Sequence, residues 1–128
     1  MSNDQQNDEI RNILGQLQRQ ARDVTRELTR CRAELGHKVR VARQSSLTLT
    51  ELNKLATGDI RFYQPVGKMF MLKSRTSIDD GLKTKQKSAE DDVNKLITRI
   101  KSLEAEVEAN QRALKEIVRS IDMESRPV

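Results

Sequence analysis

In the second half of the chain, apolar residues recur every three or four positions. With Val93 as position a of a seven-residue repeat, positions a and d fall on Val93, Leu96, Ile100, Leu103, Val107, Asn110, Leu114, Ile117 and Ile121. All but Asn110 are aliphatic. A stripe of this spacing, sustained over several repeats, predicts a coiled-coil helix. The helix is expected over 76–122. Thr76 and Asp79 have the spacing of a capping-box variant, and Asp79 and Asp80 suit the positive end of a helix. About 45 residues at ~1.5 Å each make it roughly 68 Å long.

The first half carries a weaker version of the pattern. Its a and d positions are Ile10, Leu14, Leu17, Ala21, Val24, Leu28, Cys31, Leu35, Lys38 and Ala42. Gly15 and Gly36 each cost about 1 kcal/mol relative to alanine in a helix, so neighbouring helix surface must support this segment. A helix is expected over 7–45. If the two helices run antiparallel, position a on one faces d on the other. One register places Leu14 against Ile117, Leu17 against Leu114, Val24 against Val107, Leu28 against Leu103, Cys31 against Ile100 and Leu35 against Leu96. The small Ala21 then faces the polar Asn110. A slip of one repeat also keeps a against d; the register given leaves fewest apolar residues unpaired at the ends. Its centre falls between Pro65 and Val66.

The sequence at that centre changes character. Gln64-Pro65-Val66-Gly67 fits a type I turn with proline second and glycine fourth, followed by a bulge. The flanks are rich in β-formers and hold all the aromatics, Phe62, Tyr63 and Phe70. Two strands are expected, about Ile60 to Gln64 and Lys68 to Lys73, forming a β-hairpin over 60–73. Before them, Thr48-Leu49-Thr50-Glu51 reads as a capping box opening a short helix over 48–57, closed by Gly58. The fold class is therefore mainly α: a long antiparallel two-helix coiled coil with a short β-hairpin and short helix at the bend, one domain over 1–128. A lone two-stranded hairpin is marginal in water. Its apolar residues lie on both faces and both edges are open, so strands of other chains are expected to cover it.

Composition narrows the classes. Aromatics are 2% of the 128 residues and charged residues 34%, which suits long helices better than a large globular core. The net charge of +5 raises nucleic acid as a partner. The excess concentrates in Arg19, Arg22, Arg26, Arg30, Arg32, Lys38, Arg40 and Arg43, but elsewhere cations and acids interleave as on a solvated helix face. The single cysteine, Cys31, sits at a seam position as a small packed residue and cannot form an internal disulfide, which fits a reducing compartment. The polar stretch from Met1 to Glu9 has no secretory pattern, and no apolar run reaches the ~20 residues of a membrane span. A cytoplasmic protein is expected. The lone His37 lacks the companions a metal site needs, no phosphate-binding glycine loop is present, and no carboxylate pair stands apart from the helix-face charges. Neither catalysis nor a cofactor is expected.

A long helix, a short helix, a hairpin reading Tyr63-x-x-Val66-Gly67-x-Met69-Phe70 and a long heptad helix together resemble the β-type prefoldin subunits. The likeness runs from about Ile10 to Ile121, and the hairpin is its specific part. The resemblance implies a hexamer of two α-type and four β-type subunits. Their hairpins join into a β-barrel platform, from which six coiled coils hang. The tips hold unfolded clients, actin and tubulin among them, and pass them to the cytosolic group II chaperonin without nucleotide. The basic stretch from Arg19 to Arg43 has no place in that pattern.

On this reading the assembly residues are Ile60, Phe62, Tyr63, Val66, Gly67, Met69, Phe70, Met71 and Leu72. The client-binding residues are Ile10, Ile13, Leu14, Ile117, Val118, Ile121 and Met123, at the free ends of the helices. Ile10, Leu14, Ile117 and Ile121 can equally pair as a terminal layer of the coiled coil, whereas Ile13 and Val118 fall outside the seam. Met123 adds adaptable apolar surface. Two other classes compete: a structural or adaptor coiled coil, and a nucleic-acid-binding coiled coil using the basic stretch. Neither needs the hairpin. If the basic stretch is only a solvated face, duplex DNA should bind weakly at physiological salt and without sequence preference. Sub-micromolar binding that survives near ~0.2 M salt, measured by filter binding, would contradict this.

Overall fold

The computed structural model describes residues 2–55 and 60–125. Helix α1 spans Ser2–Asn53, strand β1 Phe62–Val66, strand β2 Met69–Lys73 and helix α2 Arg75–Ser125. The helices form an antiparallel coiled coil, and the strands are paired as one antiparallel hairpin.

Burial follows the predicted stripe. On α1 the positions shielded from solvent include Ile10, Leu14, Leu17, Ala21, Val24, Leu28, Cys31, Leu35, Lys38 and Ala42. On α2 every a and d position from Val93 to Ile121 is likewise buried or half-buried. The same three-four spacing runs further than expected, through Ser45, Leu49 and Leu52 on α1 and through Ile78, Leu82, Gln86 and Ala89 on α2.

Contacts divide the chain into two compact units. One comprises Met1–Ala33 with Ile97–Val128. Its most buried apolar side chains are Leu28, Cys31, Ile100 and Leu103, with Leu103 only 1% exposed. Arg32 crosses from α1 to Glu104 of α2 at 3.1 Å. Both ends of that pair are well exposed, so it directs pairing more than it stabilises. The other unit is Glu34–Leu96. Here Ala89 and Ser45 are buried, and Lys38 forms a 3.1 Å ion pair with Asp92. That pair accommodates a lysine at a seam position: its aliphatic stem packs while its ammonium meets a carboxylate.

Three local expectations are corrected. No short helix opens at Thr48; α1 continues to Asn53. The hydroxyls of Thr48 and Thr50 donate to the carbonyls of Gln44 and Ser46 at 2.8 and 3.0 Å. Bonded to the preceding turn, they cap nothing, because inside a helix a threonine hydroxyl can reach the i−4 carbonyl. Gly58 and the end of the expected 48–57 helix lie outside the described residues. Second, Ser74, not Thr76, caps α2: its hydroxyl accepts the Ser77 backbone N–H at 3.1 Å. A hydroxyl three residues before an unpaired amide is what a helix start requires. Third, the turn is Val66-Gly67-Lys68-Met69, described with the hairpin below.

The end of α1 is closed by tight i→i+3 bonds from Lys54 to Glu51 and from Leu55 to Leu52. Arg75, the first residue of α2, donates to the Leu52 carbonyl at 2.7 Å. A cation there satisfies a terminal carbonyl and meets the negative end of the helix dipole.

The predicted register has a direct chemical test. With Ile100→Cys, oxidation should link Cys31 to residue 100 within one chain. Val107→Cys, the partner after a one-repeat slip, should not link. Non-reducing gel mobility and peptide mass read the outcome.

Candidate assembly and client-binding surfaces

The hairpin is built by a two-residue loop. Gly67 has φ of 62°, and among the described residues no non-glycine residue has positive φ. A left-handed glycine at the first central position followed by an ordinary residue is the type II′ arrangement, whose twist matches that of the strands. Pro65 therefore lies within β1, opposite Phe70, while Val66 pairs with Met69. The expected type I turn with proline second is displaced because Gly67 supplies the conformation a two-strand closure needs.

The pairing fixes two faces and two edges. Directly opposed residues share a face. Tyr63, Pro65, Phe70 and Leu72 lie on one, and Phe62, Val66, Met69 and Met71 on the other with Gln64 and Lys73. Phe62 is half-buried. The rest is open: Met69 is 74% exposed, Phe70 71%, Leu72 64%. Ile60, Tyr63, Val66 and Met71 are exposed too. Val66 and Met69 close the turn and so form a hydrogen-bonded pair. Pairs alternate in type along an antiparallel ladder. The N–H groups of Phe70 and Leu72 therefore point to the free edge of β2, whereas on the free edge of β1 Tyr63 alone keeps a donor there, Pro65 having none. Proline at that place costs the ladder nothing. The β2 edge is the more complete template for another strand.

The predicted client residues lie in the unit built from Met1–Ala33 and Ile97–Val128. They split as the heptads divide them. Ile10, Leu14, Ile117 and Ile121 are half-buried. Ile13 and Val118 are each 49% exposed and Met123 is 71% exposed. On α2, Leu114, Val118 and Met123 line an open groove with Lys115, Arg119 and Asp122. Sequence reasoning overlooked Leu114 as a groove residue, since a d-facing leucine is counted as seam; its single turn of separation from Val118 was the available signal.

The basic stretch is partly neutralised. Arg30 pairs with Glu27, Arg32 with Glu104 and Lys38 with Asp92. The Arg30 hydrogen bond holds the Glu27 carboxyl below the usual carboxylate range. Among the described residues no cluster of His, Cys, Asp and Glu could hold a metal ion, and no helix is long and apolar enough to cross a membrane.

Comparison with known proteins places this geometry. The profile of the prefoldin subunit family matches residues 12–121, nearly all of both helices and the whole hairpin. The chain belongs to the prefoldin subunit family. It is 36% identical over 73 residues to the probable prefoldin subunit 1 of Dictyostelium discoideum, a match covering 57% of this chain and 63% of that protein. It is 26% identical over 111 residues to prefoldin subunit 1 of Tetraodon nigroviridis, covering 87% and 90%. The crystal structure of the prefoldin beta subunit from Thermococcus strain KS-1 aligns with a TM-score of 0.51 at 22% identity, over 96% of this chain and 95% of that one. The resemblance to β-type prefoldin subunits read from the hairpin agrees with the names of these relatives, and the likeness to the solved structure shows the fold of a prefoldin beta subunit.

Within such a fold, charge on the apolar hairpin face should be costly only where a partner covers it. If strands of other subunits cover the hairpin, Phe70→Asp should leave helical content by circular dichroism unchanged and abolish association with them, since an unpaired carboxylate buried at an interface costs several kcal/mol. Normal co-migration of the variant with partner subunits on size exclusion would contradict this.

Proposed function

We propose that the chain is a subunit of the hexameric, ATP-independent prefoldin co-chaperone. In it the chain joins α- and β-type partners through its hairpin and holds unfolded or nascent proteins with its helix ends. Membership of the family supports the general role. The observation that carries the assembly reading is the hairpin itself: an uncovered apolar strand pair on a chain whose remaining exposed residues are mostly polar or charged. Strands of neighbouring subunits would pair with its free edges and bury Tyr63, Phe70 and Leu72.

Client holding falls to the free ends of the helices. Ile13, Val118 and Met123 offer apolar contact in place, while fraying of the terminal turn would intermittently release Ile10, Leu14, Ile117 and Ile121. A grip of this kind is weak per contact and tolerant of sequence, which suits unfolded chains such as actin and tubulin. Release to the group II chaperonin needs no nucleotide, and the work is cytoplasmic. No residue is assigned a catalytic role and no cofactor is required.

Deleting the residues before Gly15 together with those after Lys115 should leave the hexamer assembled and weaken suppression of client aggregation. The deleted segments and the hairpin belong to different compact units. Because several tips grip one client, shortening this subunit alone should have a small effect and shortening several together a large one. Unchanged holding with all tips shortened would place the client site elsewhere.

A further inference from the structure

Two exposed apolar side chains on α1, Val39 and Leu47, have no part in the seam, the hairpin or the helix ends. Leu47 is 59% exposed. It follows the buried Ser45 by two residues, which turns it roughly 200° away from the seam. Arg40 and Arg43, two turns and one turn earlier, share that outward face. With Gln44, Thr48 and Glu51 they and Leu47 line a shallow groove.

The polar groups of this groove are unequal. Arg40 and Arg43 are both exposed, and neither has an ion-pair or hydrogen-bond partner among the described residues. Glu51, at the other end, is already paired with Lys54 at 3.1 Å. The Thr48 hydroxyl is committed to the Gln44 carbonyl. Along the helix the groove therefore runs from two unneutralised guanidinium groups, past an exposed isobutyl group, to a carboxylate.

We propose that this groove docks an acidic segment of another protein, one carrying an apolar side chain beside its carboxylates. Guanidinium groups take carboxylates in paired, planar hydrogen bonds. The apolar side chain would cover Leu47. Glu51 sets the direction, since it repels further acid and confines the partner's carboxylates to the Arg40 end. A nucleic acid fits less well: phosphates gain nothing from Leu47, would run into Glu51, and find a footprint of only two cations. The surface lies entirely within the unit Glu34–Leu96 and is independent of client holding.

The test uses the full chain in its complex and a short fluorescent peptide with three consecutive glutamates followed by leucine and phenylalanine, read by anisotropy at about 0.15 M salt. Saturable binding is expected. Arg40→Glu with Arg43→Glu should weaken it by about tenfold or more, and Leu47→Ser by roughly threefold or more. Arg22→Glu with Arg26→Glu, an equal change of net charge elsewhere on α1, should change it less than about twofold. Should charge reversal reduce helicity, Arg40→Gln with Arg43→Gln takes its place and should still weaken binding by roughly threefold. Three results would each overturn the proposal: no saturable binding, equal loss in both charge-reversed pairs, or a duplex oligonucleotide that binds as tightly and depends on the same two arginines.

Discussion

Two helices can bury only one stripe each, and that single seam is what the rest of this molecule depends on. A coiled coil of two helices has no second layer, so an apolar side chain outside positions a and d finds no cover within the chain. Shielded positions at this spacing recur from Ile10 to Leu52 on α1 and from Ile78 to Ile121 on α2. The seam tolerates Lys38, whose ammonium pairs with Asp92, and Gln86, whose side-chain amide donates to Glu90 at 3.3 Å. Every functional surface of the chain is what the seam leaves over.

The hairpin is the largest remainder. Its strands join two helices whose apolar stripes face each other, and among the described residues nothing covers Phe70 or Leu72. The same limit explains why proline is tolerated in β1. A strand with an open edge can lose an edge donor without losing a ladder bond, and the loss then makes β2 the better edge for another strand. At the helix ends the remainder is smaller, Ile13, Val118 and Met123, and is mixed with charge. Under the proposed function, strong, permanent association suits the first surface and weak, repeated contact the second.

Much of this was legible in the sequence, because heptad periodicity and helix burial report the same geometry. The a and d positions chosen from spacing alone are the shielded ones, and the division of the tip residues into seam and exposed members followed from their heptad places. What was illegible turned on choices between equivalent local signals. Thr48-x-x-Glu51 can open a helix or sit within one, and only the continuing seam through Leu49 and Leu52 decides. Gln64-Pro65-Val66-Gly67 is a good type I turn in isolation, but Gly67 serves a tighter closure one step further on. Ser74 was passed over as a cap because Thr76 and Asp79 offered a fuller pattern. The seven-residue repeat also leaves the pairing of the helices defined only to within a repeat.

The central claim is that the hairpin is covered by strands of other subunits. Residue-resolved amide hydrogen exchange, in the isolated chain and in the assembled complex, tests it most directly. The account predicts fast exchange at Phe70 and Leu72 in the isolated chain and strong protection of both in the complex, with the seam amides around Leu103 little changed. Equally fast exchange at Phe70 and Leu72 in the two states would contradict it.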